Sequence, residues 1–342
     1  MRTNLFIGIL ISLSIFNYTV QAKNNSPDPF NQNKRLGRGI NFGNALEAPK
    51  EGDWGVTIRQ EYFKIIKDAG FDSVRIPIRW SSHALMQQPY TIDPNFFNRI
   101  DWVIKNALQQ NLYVMMNMHH YMELMNEPNA LHTERFIALW KQIAEHYKNY
   151  PNSVLFEPLN EPHNALTADL WNQLLNKTIP VIRESNPNRT LVIDPANYAT
   201  DINNLQLPEN DRNIIVSCHY YLPVKFTHQG AEWSNEGKDA LGTTWKATEQ
   251  ERKEIDGHFD MAYEWGKKFN RPINLGEFGV INKAEKFDRI RWTSYVANSA
   301  TRRGFSYIYW EFCAGFGIYD QVKKEWNDEM LRVIVPAIIQ KK

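Results

Sequence analysis

The feature that most constrains this chain is an alternation that runs along almost its whole length. Short runs rich in β-branched and aromatic residues occur at 39–44, 73–78, 112–118, 154–159, 190–194, 213–219, 272–276 and 305–310. Most of the intervals carry helical periodicity instead. Ile58, Tyr62, Ile65, Ile66 and Ala69 follow one helix face, as do Phe97, Ile100, Val103, Ile104, Ala107 and Leu108, and Phe136, Leu139, Trp140, Ile143, Ala144 and Tyr147. Stretches 170–182, 258–269 and 292–300 continue the series more weakly, and 197–212 offers little helical pattern. Eight strands with intervening helices predict an α/β protein folded as a single-domain (β/α)8 TIM barrel. A doubly wound open sheet shares the local pattern. No glycine-rich phosphate loop follows the first strand, which counts against a nucleotide-binding version.

The N-terminus stands outside this pattern. One basic residue, Arg2, precedes the apolar run 5–16 and a polar stretch ending at Ala22. That run is too short to span a bilayer, so residues 1–22 read as a cleaved secretory signal rather than an anchor. Residues 23–35 read as a flexible leader, polar and broken by prolines, and 36–342 as the barrel domain. The expected location is therefore secreted or periplasmic, with no membrane attachment after cleavage. Signal removal takes away one arginine and no acid, so the formal +1 of the full chain falls to zero. A balanced charge argues against nucleic-acid or anionic-membrane partners. The only cysteines, Cys218 and Cys313, lie in apolar segments and read as buried free thiols, since a chain of 342 residues needs no staples. A monomer is expected.

Polar residues gather where the strands end, which in a parallel barrel is the working face. Asn44 follows the first run, Arg75 sits in the second, and His119-His120 follow the third. Asn160-Glu161-Pro162 end the fourth, His219-Tyr220-Tyr221 the sixth, Gly276-Glu277-Phe278-Gly279 the seventh and Trp310-Glu311 the eighth. Such groups are costly to bury without partners, so their recurrence points to a binding site. Glu161 and Glu277 fall on opposite sides of the mouth, as cleavage of a glycosidic bond requires. One carboxyl acid assists the leaving oxygen, and the other attacks or activates water. The acid needs a raised pKa, and the nucleophile needs donors such as Arg75 to stay ionised, with the two carboxyls about 5 Å apart. Asn160 is suited to a sugar 2-hydroxyl, Tyr221 to orienting the nucleophile and Trp310 to flooring a pyranose ring.

The motifs Arg75-Ile76-Pro77, Asn117-Met118-His119-His120, Leu159-Asn160-Glu161-Pro162, His219-Tyr220-Tyr221, Leu275-Gly276-Glu277-Phe278-Gly279 and Tyr309-Trp310-Glu311 resemble those of glycoside hydrolase family 5, in order and strand placement. The resemblance covers about residues 36–338 and implies a retaining (β/α)8 enzyme without a cofactor or metal, acting on a β-linked polysaccharide or oligosaccharide. It implies Glu161 as acid/base and Glu277 as nucleophile, supported by Arg75, His119, Asn160, His219, Tyr221 and Trp310. None of the eight departs from the family pattern. The stretches 43–49, 53–56 and 226–233 further resemble a bacterial endoglucanase subgroup, some of whose members cut mannans. That similarity implies Asn44, Glu47, His120, His228, Trp233 and Glu311 as sugar contacts. It favours endo-β-1,4-glucanase (cellulase) activity over endo-β-1,4-mannanase or mixed activity.

Other readings compete. A second Asn-Glu-Pro, at Asn126-Glu127-Pro128, lies in a loop before a helix and reads as helix-start chemistry. Glu157 shares strand parity with Glu161, so it is expected to point inward and pair with an arginine. His119-His120 with Glu123 lacks the helical spacing of a zinc site, since adjacent strand residues face opposite ways. No Gly-x-Ser-x-Gly elbow is present. Trp140 and Trp292 read as core, while Trp54, Trp233, Trp245 and Trp310 are the sugar-platform candidates. A non-catalytic glycan-binding barrel would have no reason to keep both Glu161 and Glu277.

Overall fold

The computed structural model describes residues 27–336. Eight parallel strands close into a barrel in chain order, β1 pairing with both β2 and β8. They are β1 (Arg38–Asn41), β2 (Ser73–Ile76), β3 (Tyr113–Asn117), β4 (Val154–Glu157), β5 (Leu191–Ile193), β6 (Ile214–Tyr220), β7 (Ile273–Phe278) and β8 (Ser306–Tyr309). The strands are those expected from the sequence, though most end earlier, because their polar last residues leave the ladder to enter the loops. Helices Gln60–Asp68, Pro94–Gln109, Ala130–Tyr147, Ala168–Ser185, Glu249–Phe269 and Lys286–Arg302 pack around the outside. The fifth connection has only short turns at Ala196–Ala199 and Ile202–Asn204, in keeping with its weak periodicity.

Side-chain alternation divides the barrel interior into layers. The middle layer is apolar: Met115, Leu155, Val192, Ile215 and Ile308 form one fully buried cluster with Leu36. The layer above, toward the strand C-termini, is polar: Asn41, Arg75, Asn117, Glu157 and Asp194 are all completely buried. A second and much larger apolar cluster lies between strands and helices, and Trp140 and Trp292 belong to it as expected.

The expected loose leader departs from the structure at Pro29. Helix Pro29–Leu36 starts at an Asp28 cap with proline in its first turn, and it contacts β3, β6 and β8 at the bottom of the barrel. Asn33 bridges to the Ile273 carbonyl at 2.9 Å and accepts from Ser306 at 2.6 Å, and Ser73 donates to the Leu36 carbonyl at 2.7 Å. A polar sequence thus plugs the barrel with one apolar side chain and its amides. The signal segment 1–22 lies outside the described residues. Cys218 and Cys313 are free and buried. No helix among the described residues is long and apolar enough to cross a membrane.

Candidate active site

Arg75 organises the polar layer. Its five N–H donors make five bonds: two to Glu157 at 2.6 and 2.7 Å, and one each to Glu277 at 2.6 Å, Asn160 at 2.6 Å and Asn41 at 2.9 Å. Glu157 points inward and pairs with an arginine, as its parity predicts, and it also accepts from Asn117 at 3.0 Å. Because Asn160 spends its oxygen on Arg75, its amide nitrogen is the group left for the cleft. Asn117 also donates to His119 Nδ1 at 3.1 Å, holding that ring parallel to Trp310 with centroids 5.9 Å apart.

Glu277 is delivered by a break in register. Cys218 pairs with Leu275 but His219 with Glu277, so Gly276 is the extra residue of a bulge that turns Glu277 into the mouth. A Cβ on Gly276 would stand 2.8 Å from His219 Nε2 and 2.4 Å from Ser217 Oγ, so only glycine leaves room for the imidazole. Tyr221 donates to Glu277 Oε2 at 2.9 Å, opposite the Arg75 contact. Glu161 follows β4 with a left-handed φ of 46°, and Asn44 (63°) and His120 (52°) share that conformation. Non-glycine residues pay for it, and such strain gathers at functional sites.

His219 joins the carboxyls. Its Nδ1 is 2.7 Å from Glu161 Oε1 and 3.9 Å from Glu277 Oε2, and oxygen atoms of the two glutamates lie within 4.8 Å of each other. Although burial opposes its charge, Asp194, Glu277 and Glu161 push the His219 pKa up to about 9. Burial raises both carboxyls. The His219 hydrogen bond and charge reverse this for Glu161, which ends below the usual range, while Glu277 stays above it. The free site therefore inverts the order expected of acid and nucleophile, because the His219 proton sits on the Glu161 side. His119 is held well below its usual value by burial and by neighbouring His120 and Arg75; burial and Arg79 bring His120 to about 4, and burial brings His228 to about 4.

Eight predicted residues thus form one connected cluster: Arg75, His119, Asn160, Glu161, His219, Tyr221, Glu277 and Trp310. Asn44, His120 and His228 flank it half-buried, Trp54 lies edge-on to His120 at 5.8 Å, and Trp233 stands 71% exposed. Two expected sugar contacts are corrected. Glu47 is buried and accepts from the Asn44 and Ala45 amides; Glu311 is buried and accepts from those of Cys313, Ala314 and Phe316. Both carboxylates brace their own loops instead of facing the cleft. Trp245 is likewise buried, so it offers no platform. β3 ends at Asn117, so strand alternation does not separate the two histidines; their rings meet edge-on at 4.4 Å. Asn126 and Glu127 lie at the end of a short helix, and neither hydrogen-bonds the carboxyl pair. Of the described residues, Glu161, His219 and Glu277 form the one group with ligand types for a cation. Arg75 already binds one Glu277 oxygen and Tyr221 the other, and the His219 in that group holds its proton up to about pH 9, which disfavours a metal there.

Asp194 is the residue that sequence reasoning missed. It is fully buried just beyond β5, accepts from the Glu161 amide at 3.0 Å and lies 3.5 Å from His219 Nε2. Burial and the nearby Glu157 charge push its pKa up to about 7. It closes the fifth apolar run, so the same strand-end rule that marked its neighbours applies to it as well.

Comparison with known proteins agrees with this geometry. Residues 37–315 match the model of the family described as cellulase (glycosyl hydrolase family 5). Endoglucanase H of Acetivibrio thermocellus is 33% identical over 90% of this chain, which spans 33% of that longer protein. Endoglucanase B of Clostridium cellulovorans is 28% identical over 86% of the chain and 72% of its own length. Among solved structures, Cel5A of Thermotoga maritima is 50% identical, with a TM-score of 0.88 over 90% of this chain and 100% of that one. Cel5A has been solved in complex with cellobiose and with mannotriose. With its barrel, its motifs and a match over most of its length, the chain is a member of glycosyl hydrolase family 5.

Proposed function

We propose that the chain is a retaining, endo-acting β-1,4-glucan hydrolase with Glu161 as acid/base and Glu277 as nucleophile. The observation that carries this reading is the pair of carboxyls within 4.8 Å across the mouth, each with its own partners. That separation suits direct attack, for which about 5 Å is characteristic, and leaves no room for the intervening water of an inverting enzyme. Glu277 attacks the anomeric carbon as the glycosidic bond breaks, and Glu161 protonates the departing oxygen. Water then attacks the same carbon, giving its proton to Glu161 and releasing Glu277. Arg75 and Tyr221 both donate to Glu277 and favour it as the anion, while the His219 proton passes to Glu161 along their 2.7 Å hydrogen bond. The free Asn160 amide is suited to the 2-hydroxyl and Trp310 to the face of the ring. Asn44, His120, His228 and Trp233 are assigned to sugars on either side. Residues 1–22 are assigned to secretion.

Reducing ends released from a soluble cellulose derivative test the reading. Glu161→Gln is expected to lower kcat about 10²–10⁴-fold, the range for a lost general acid, and Glu277→Gln to abolish turnover. Full activity in either variant overturns the assignment. A mixed glucan and mannan specificity is favoured by one observation, the mannotriose complex of Cel5A. Higher kcat/KM on mannan than on glucan would make that the principal activity.

A further inference from the structure

Residues 319–329 hold four acids, two lysines and two amides, a polar density that the carboxyl site leaves unused. They form one side of a cavity of about 900 Å³ behind the loop that follows β8. Its walls are the strands Tyr319–Asp320 and Glu325–Trp326, which pair antiparallel, the start of helix Asp328–Ile334 and the start of helix Lys286–Arg302. It shares no lining residue with the carboxyl site, yet one loop joins the two. Trp310 stands at the cleft, while Cys313, Ala314 and Gly317 line the cavity.

The walls are built before any ligand arrives. Tyr319 stacks on Phe312 with centroids 5.0 Å apart and planes within 8°, and Trp326 packs against both, at 5.2 and 5.7 Å. Gln321 donates to the Cys313 carbonyl at 3.0 Å and accepts from Tyr62 at 3.1 Å, tying the strand pair to the barrel. Arg289 is only 6% exposed. Its Nε and Nη2 hold the carbonyls of Val280, Phe316 and Gly317 and the Tyr309 hydroxyl. Arg289 lines the cavity, and Nη1 is its one nitrogen without a partner among the described residues. A guanidinium buried with a donor unused is a costly arrangement, and a ligand hydroxyl would complete it.

Charge and size narrow the ligand. Four basic and four acidic side chains line the cavity, so neither a polyanion nor a polycation is favoured. Lys286 pairs with Glu329 at 2.5 Å, and Lys323 lies 3.8 Å from both Asp320 and Glu325. Arg332 has no partner among the described residues. The acids do not converge as a cation needs, since the one such group among the described residues is Glu161, His219 and Glu277. The volume is too large for a single ion and falls within the range of ligand pockets. These properties fit a neutral, hydroxyl-rich molecule. Paired acids and bases offer alternating acceptors and donors, and half-buried Trp326 offers an apolar face.

We propose that this cavity is a second, non-catalytic glycan site, which holds a stretch of glucan chain outside the catalytic cleft. Its ligand class rests on the reading of the chain as a glucan hydrolase. Arg289 Nη1 and Arg332 donate to sugar hydroxyls there, and the carboxylates accept from them. A polysaccharide long enough to engage both sites gains from their linkage, whereas an oligosaccharide occupying the cleft alone does not.

Lys323→Ala/Arg332→Ala removes two exposed donors from the rim and touches no residue of the carboxyl site, so kcat/KM on cellopentaose should match wild type. On a long soluble β-glucan kcat/KM is expected to fall about three- to tenfold, the loss of a weak second contact. Binding is read separately in Glu277→Gln by NMR. Cellopentaose should shift the backbone amide resonances of 319–329 with a saturation of their own, and adding the two alanine substitutions should remove that shift. A polymer-to-oligosaccharide ratio equal to wild type overturns the proposal, and so do resonances of 319–329 that stay in place once the cleft is filled. If the wild type cleaves no glucan, the hydrolase reading fails and the ligand class falls with it. Hydrolysis of both substrates by the wild type confines any failure to the cavity.

Discussion

At the scale of single residues, the site is a problem in sharing donors and charge. Arg75 is fully buried and has no N–H to spare, so a lysine there would leave several buried acceptors unpaired. Asp194 acts on the other flank through His219, and its role can be tested by removing only its charge. Asp194→Asn keeps an acceptor for the Glu161 amide, but it withdraws a negative charge that favours protonated His219. His219 holds its proton up to about pH 9, so the Glu161–His219 pair is expected to lose its shared proton, and the enzyme its activity, through that region. Without the Asp194 charge the His219 pKa drops, and the alkaline limb of kcat/KM should move toward neutrality by about one to two pH units. A pH profile on soluble cellulose derivative is the check. An alkaline limb in the same place would mean that Asp194 serves structure alone.

At the scale of elements, the same barrel is closed at one end and worked at the other. Helix Pro29–Leu36 fills the bottom through Leu36, which is fully buried in the interior cluster, far along the strands from the carboxyls. Leu36→Ala leaves a cavity with little freedom to collapse. It should cost about 2–5 kcal/mol of stability in urea unfolding, while kcat/KM of the folded protein stays close to wild type. A loss of less than about 0.5 kcal/mol would show that the helix is not part of the core. At the upper end the shift between β6 and β7 does the opposite work, giving up regular pairing to aim His219 and Glu277 at each other. Gly276 follows from that geometry, since its absent side chain is the space the imidazole occupies.

For the whole molecule, burying many titratable groups at one mouth ties stability to pH from both sides. Glu47 (about 8), Asp194 (about 7), Glu311 (about 7) and His219 (about 9) have folded pKa values above their ordinary ones. Their contribution is complete below the ordinary values and is lost as pH rises through about 7–9. His120 and His228, both near 4, are shifted the other way, so their contribution is present above about 6.5 and lost as pH falls toward 4. Thermal unfolding followed across pH should therefore show Tm falling between pH 7 and pH 9, where the histidine contribution is already complete and only the raised groups still titrate. A Tm still rising at pH 9 would contradict the alkaline arm.

The sequence by itself determined the barrel and most of the site. A period of two in the strands and 3.6 in the helices is written locally, and strand ends become loop ends wherever the barrel closes. That is why Arg75, His119, Asn160, Glu161, His219, Tyr221, Glu277 and Trp310 were legible as a set. What the residues' types left undecided was the direction and company of each side chain. Glu47 and Glu311 look like sugar ligands in sequence and are loop braces in space, because their own backbone amides reach them first. Trp245 is aromatic like Trp233, but only burial separates them. Helix Pro29–Leu36 is too polar to announce itself, since its work is done by one leucine and by amides whose partners are distant in sequence. Asp194 gains its meaning from Glu161 and His219 on the neighbouring strand ends, contacts that exist only once the sheet has closed.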